Sequence, residues 1–264
     1  MESVALIESK LCQLLTKLKS ASADYISLYI KPSSFPNRID ELLIVSGYGM
    51  YVDEIKEAVN TKAVIQWTDE YNTGAVIYWQ GSGNKYIVLP PFSVAEDAIF
   101  TGELDISLLC VILGEECIIG VVLVTWGTYS IGVFNRGNLV ESKTGSGYIH
   151  KEHKKGGSSA KRFARRTEEQ KKEFLRKVSN RIEERFRNYK LDYVFFGGNR
   201  LILKPLLKEC RYLEMESQKI SRRILNVRHA DKKILNHSLR EITKSQVFIF
   251  GTKLKDNSRC ILGK

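Results

Sequence analysis

Apolar positions recur with a helical period near the start of the chain. Val4, Ile7, Leu11, Leu14, Leu15 and Leu18 fall on one face, and the pattern predicts an amphipathic helix over residues 4–19. The period then shortens. Asp24 to Lys31, with Tyr25, Ile26, Leu28, Tyr29 and Ile30, reads as a strand stopped by Pro32, and residues 32–36 read as a loop. Residues 50–60 suit a short helix. Thr73 to Gln80 and Lys85 to Leu89 are β-rich runs separated by Gly81-Ser82-Gly83, which signals a hairpin. Leu104 to Leu113 suits a strand or a buried helix, and periodicity does not decide between them.

A second unit is expected to begin near Gly114, which divides the chain into domains at 1–113 and 114–264. Cys117 to Thr125 has the composition of a buried strand. Tyr129 to Phe134 alternates, Asn135-Arg136-Gly137-Asn138 is a turn, and Leu139 to Lys143 returns as a third strand. Thr144 to Gly157 holds four glycines and, apart from Tyr148 and Ile149, no large apolar residue, so it reads as a long exposed loop. A long amphipathic helix follows, roughly Ser159 to Tyr189, about 45 Å long. Phe163, Phe174, Val178, Ile182 and Phe186 mark its buried stripe, with Ala160, Ala164 and Leu175 beside it. Leu191 to Phe196 is then a strand ending at Gly197-Gly198-Asn199, residues 201–209 a helix, Lys219 to Val227 a strand, Asp231 to Ile242 a helix and Gln246 to Phe250 a last strand. The alternation predicts an α/β protein of two mixed domains, the second combining a β-sheet, an exposed glycine loop and a long basic helix.

Charge sharpens this division. The net charge is +11 at pH 7, but residues 1–149 hold 10 Lys/Arg against 17 Asp/Glu and residues 150–264 hold 31 against 13. One part of the molecule is therefore built to meet a polyanion, and nucleic acid is the usual one. Between Lys151 and Lys172 there are nine Lys/Arg among twenty-two residues, against three acids. Two adjacent glycines sit just before the helix, where the first amides lack intrahelical partners. Lys154, Lys155, Lys161, Arg162, Arg165 and Arg166 surround that end with positive charge, an arrangement suited to an RNA backbone or 3′ end.

Other chemistry is thinly represented. With 43% hydrophobic residues the chain can bury an ordinary core, and its longest apolar stretch, Cys117 to Trp126, is too short to span a bilayer. The first ten residues lack the basic cluster of a signal peptide, so a cytoplasmic protein is expected. The five cysteines show no Cys-x-x-Cys spacing, which argues for reduced thiols rather than zinc or disulfides. His150 and His153 could hold a metal, but no third ligand is in view, and nothing calls for a cofactor. Gly197-Gly198-Asn199 follows a strand without a phosphate-loop pattern and reads as a strand-to-helix turn. Arg222 and Arg223 read as a solvated edge or as added phosphate contacts.

The stretch His153-Lys154-Lys155-Gly156-Gly157-Ser158-Ser159-Ala160-Lys161-Arg162-Phe163-Ala164-Arg165-Arg166 resembles the catalytic segment of archaeal/eukaryotic-type class-one peptide chain release factors, His-x-x-Gly-Gly-Gln-Ser-Ala-x-Arg-Phe-x-Arg. Phe174-Leu175-Arg176-Lys177-Val178 is similar to that family's long helix. Tyr25 to Pro32 is similar to the first strand of its N-terminal domain, and Val194-Phe195-Phe196-Gly197-Gly198 to a strand and glycine turn of its middle domain. The resemblance covers residues 5–250 in order and is specific at the loop and the helix start. Three departures matter. Ser158 stands where the family has glutamine, and the nearest glutamine, Gln170, lies inside the helix. The stop-codon-reading Asn-Ile-Lys-Ser segment has no counterpart between Pro32 and Trp67. The chain ends near Lys264, without the C-terminal domain that meets the partner GTPase. These departures make it look most like the Vms-type branch, which acts in ribosome-associated quality control.

The resemblance implies codon-independent cleavage of peptidyl-tRNA on stalled ribosomes. Gly156, Gly157 and Ser158 would stand at the reaction centre, and Lys154, Lys155, Lys161, Arg162, Arg165 and Arg166 would hold RNA. The implied partners are the large ribosomal subunit, its rRNA and peptidyl-tRNA, with no membrane, no stop-codon reading and no partner GTPase. Because Ser158 replaces the glutamine, a slow hydrolase and a non-catalytic Pelota-like rescue factor both remain open, as does a general RNA-binding protein.

Overall fold

The computed structural model describes residues 1–20, 24–150 and 158–251. The chain begins with β1 (Glu2–Leu6), α1 (Glu8–Ser20), β2 (Tyr25–Ile30), α2 (Ile39–Val45), a 3-10 turn at Gly49–Tyr51, α3 (Val52–Val59), α4 (Lys62–Tyr71), β3 (Ala75–Trp79), β4 (Lys85–Leu89), β5 (Ala98–Gly102) and α5 (Ser107–Leu113). It continues with β6 (Ile118–Thr125), β7 (Thr128–Asn135), β8 (Asn138–Ser146), α6 (Ser158–Phe186), β9 (Tyr193–Gly198), α7 (Arg200–Glu209), α8 (Arg211–Met215), β10 (Ile220–Leu225), α9 (Lys232–Ile242) and β11 (Ser245–Phe250). The result is a mixed α/β protein with two sheets.

Two units divide the chain. One is built from Met1–Glu115 together with the chain from Thr243 onward, the other from Glu116–Ile242. The first holds an antiparallel sheet in the order β1-β11-β4-β3-β2-β5. Ile26, Leu28, Ile30, Ile77, Trp79, Ile87 and Phe248 meet the buried faces of α2, α3 and α4 in one core. The alternate residues face the other way, and there the hydroxyls of Tyr29 and Tyr78 lie 3.1 Å apart. Burial pushes the Tyr29 phenol up to about 12.

The second unit holds the order β10-β9-β6-β7-β8. β9 runs parallel to both β6 and β10, while β7 and β8 add antiparallel strands. Helices cover both faces of this sheet. Val122, Val124, Ile131 and Val133 pack with α6 and α7 in one core, and a Cβ on Gly132 would meet Leu235 of α9 at 2.9 Å. Burial on both faces explains why β6 is an unbroken apolar run.

Several expectations change. Residues 2–6 are a strand rather than the start of the first helix, because Val4 pairs with Val247. Leu104 to Leu113 resolves in favour of a helix, α5. Helices α2 and α4 and strand β5 had no sequence assignment. The last strand was assigned to the second domain, ending at 264. Instead it pairs with β4 through Phe248 and Ile87 and with β1 through Val247 and Val4, so the chain returns to the first sheet. Thr144 to Ser146 was read as loop but belongs to β8, paired with Ser130, Tyr129 and Thr128.

Candidate nucleic-acid interface

α6 has 29 residues and so runs for about 43 Å. Its C-terminal half is a core element, with Phe174, Val178, Ile182 and Phe186 at most 3% exposed. Its beginning differs. Lys161, Arg162, Ala164, Arg165 and Arg166 are exposed, and Phe163, expected in the buried stripe, is 49% exposed. No acid stands in the first turn. Arg165 Nε contacts Glu169 Oε1 at 3.0 Å, an exposed pair one helical turn apart. Ser158 is the first residue of the helix, so its backbone N–H has no intrahelical acceptor. Lys154, Lys155, Gly156 and Gly157 lie outside the described residues, as does His153.

The segment that leads toward the glycine loop is tied down. Gly147 N–H donates to Gly127 O at 2.9 Å, and Lys177 Nζ donates to Ser146 O at 2.8 Å. His150 N–H donates to Gln170 Oε1 at 2.9 Å. Tyr148 and His150 are also joined, the hydroxyl lying 3.2 Å from Nδ1 and the rings 4.8 Å apart at 78°. A Cβ on Gly147 would stand 2.6 Å from the Phe174 ring, so only glycine lets the strap lie this close to α6. The part of the expected loop from Gly147 to His150 is therefore a strap whose backbone is fastened at both ends, Gly147 and His150.

Between strap and helix lies a cleft of about 490 Å³ lined by Tyr148, Gln170, Glu173, Arg176, Lys177 and Asn180, with Gly147 and Phe174 behind. Sequence reasoning did not single out these residues as a site; Gln170 was weighed only as a substitute for the missing glutamine. A signal was present in the spacing. Gln170, Glu173, Lys177 and Asn180 follow one another by three or four residues, which puts them on one helix face beside the buried stripe.

The remaining candidates resolve into structure. Gly198 has φ of +106°, and a Cβ there would stand 2.2 Å from Val124 O. Asn199 accepts from Leu201 N–H at 2.9 Å and caps α7, so this is a strand-to-helix turn. Arg223 donates to Ile242 O at 2.9 Å and also to Glu241 O, satisfying carbonyls at the end of α9. Among the described residues no group of three or more His, Cys, Asp or Glu is placed to hold a metal ion. No described helix is long and apolar enough to cross a membrane.

Comparison with known proteins relates part of the chain to a family. Residues 118–247 match acVLRF1, the Actinobacteria/chloroflexi VLRF1 release factor. No protein of curated function matches the chain by sequence. Among solved structures, an archaeal translation termination factor, aRF1, is 18% identical with a TM-score of 0.39, over 90% of this chain and 70% of that one. The Pelota protein of Archaeoglobus fulgidus is 10% identical with a TM-score of 0.30, over 91% of this chain and 63% of that one. Dom34 of S. cerevisiae, a translation termination-like factor, is 9% identical with a TM-score of 0.31, over 98% and 65%.

Proposed function

We propose that this chain, whose residues 118–247 match the acVLRF1 release factor family, is a release-factor-like protein that acts on stalled ribosomes in the cytoplasm to free nascent chains from peptidyl-tRNA without reading a codon. One observation carries the reading. Lys161 and Arg162 stand exposed beside the N-terminus of a 29-residue helix with no acid in its first turn. Cations at that end oppose the helix dipole, at a cost of about 0.3–1 kcal/mol each. They do not serve the fold, and a polyanionic partner accounts for them.

In this reading the large subunit and its rRNA hold Lys154, Lys155, Lys161, Arg162, Arg165 and Arg166. Gly156 and Gly157 bring backbone close to the tRNA 3′ end. Water attacks the ester carbonyl carbon, the bond from that carbon to the ribose 3′ oxygen breaks, and the 3′ oxygen takes a proton. The peptide leaves as a carboxylate. The Ser158 N–H, which has no acceptor within the helix, would stabilise charge on the departing oxygen. The glutamine side chain of the family would only order the water, and Ser158 does without it.

The test is single-turnover peptide release from large subunits carrying labelled peptidyl-tRNA. Release is expected from the natural protein, more from Ser158→Gln, and none from Gly157→Ala, whose Cβ restricts the backbone. Binding without release by either the natural protein or Ser158→Gln would instead favour a non-catalytic Pelota-like factor, a reading that the replaced glutamine keeps in play. Equal affinity for any RNA would favour a general RNA-binding protein.

A further inference from the structure

The cleft between strap and α6 has no part in the reaction described above, and its chemistry is specific. Its volume of about 490 Å³ is in the range of small-ligand sites. One wall is Tyr148, which is 73% exposed yet held by its hydrogen bond and ring contact to His150. An aromatic ring that is fixed in place and left open to solvent is a platform for stacking an unpaired base. The facing wall is α6. Gln170 spends its oxygen on the His150 N–H, which leaves its NH2 to donate. Arg176 and Lys177 supply positive charge.

Glu173 is the informative residue. It stands three positions before Arg176, at helical pairing distance, and both line the cleft. Yet among the described residues no side-chain hydrogen bond or ion pair joins either of them, or Asn180, to another residue. A carboxylate repels phosphate and can only accept hydrogen bonds. In a cationic, aromatic cleft it suits the edge of a base that offers amino hydrogens. Adenine, guanine and cytosine offer them; uracil presents carbonyl oxygens in their place.

We propose that this cleft binds one unpaired ribonucleotide, its base stacked on Tyr148, its phosphate toward Arg176 and Lys177, and its exocyclic amine donated to Glu173. The proposal rests on the reading of this chain as a ribosome-binding protein and adds a base preference that the reading does not require. An acidic peptide is the competing occupant. It would gain from the two cations but would be repelled by Glu173 and would leave the ring unused.

The experiment titrates the full chain with the trinucleotides CpCpC and UpUpU by calorimetry at low salt. The two have equal charge and ring size and differ at the exocyclic group. CpCpC is expected to bind about tenfold more tightly, the scale of one well-made base contact. Glu173→Gln, which can accept or donate, should erase the preference by improving UpUpU. Tyr148→Leu should weaken both about tenfold, and Tyr148→Phe should keep the preference. Equal affinity for the two trinucleotides, a preference that survives Glu173→Gln, no binding at all, or displacement of CpCpC by an Asp/Glu-rich peptide would each overturn the proposal. Co-sedimentation of the natural protein with large subunits tests the underlying reading separately. Sedimentation without base preference removes the cleft alone, and base preference without sedimentation removes the ribosome.

Discussion

The two ends of α6 share one backbone geometry and differ in why they are helical. From Phe174 to Phe186 the helix is held by tertiary packing. Its buried residues meet Tyr129, Ile131 and Val133 of β7 and Val122 and Val124 of β6. From Lys161 to Arg166 every residue is exposed, and helicity there is continued from the packed half, where the cost of nucleation is already met. The inner half has little freedom of composition, because each side chain fills a place in the core. The outer half has much, and it uses that freedom for cations at the end where the dipole disfavours them. Residues that contradict stability where packing asks nothing are the better guide to function.

That contrast can be broken by mutation. Phe186→Ala, at a fully buried position, should cost about 3–5 kcal/mol in denaturant unfolding of the second unit. Phe163→Ala at the outer end should cost about 0.5 kcal/mol or less. Similar costs at the two positions would end the comparison. Gly147→Ala tests where the strap meets the packed half. Its Cβ would press on the Phe174 ring, and the expected loss is about 1–3 kcal/mol.

Gln170→Ala sits at the boundary between the halves. It leaves the His150 N–H without its acceptor, which should cost about 1 kcal/mol. Amide exchange at His150 should quicken while Val122 and Ile131 stay protected. The smallest stability change belongs to Lys161→Glu with Arg162→Glu. Removing cations from the helix start should leave the midpoint of unfolding unchanged or raise it slightly. Binding to large subunits should nevertheless weaken, with a salt slope flatter by about 0.7 for each lost phosphate contact. A fall in stability together with binding would show these residues to be structural.

Local pattern carried most of the element assignments. β2, β3, β4, β6, β7 and α6 were legible because burial imposes its period directly on adjacent residues. The cations Lys161, Arg162, Arg165 and Arg166 at the head of α6 were legible for the same reason, since they lie close together in the chain. The strap was not. Its anchors join Gly147 to Gly127 and His150 to Gln170, pairs twenty residues apart, and Gly147 to His150 carries the polar composition of a free loop. Phe163 was misread because helical phase gives the direction of a side chain and not how deeply it is buried, and Phe163 is 49% exposed. β1 was misread because Val4 and Ile7 fit a helical stripe, and only pairing with Val247 makes residues 2–6 extended.

By itself the sequence determined that this is an α/β protein with a basic second half and a long helix that begins among cations. Each of those properties is carried by neighbouring residues or by their sum. Only the tertiary structure decided that β11 closes the first sheet between β1 and β4, and that Tyr148, Glu173 and Arg176 share one cleft. A strand's partner and a cleft's walls are set by which distant backbone groups and side chains meet, and hydrophobic period along the chain holds no record of that choice.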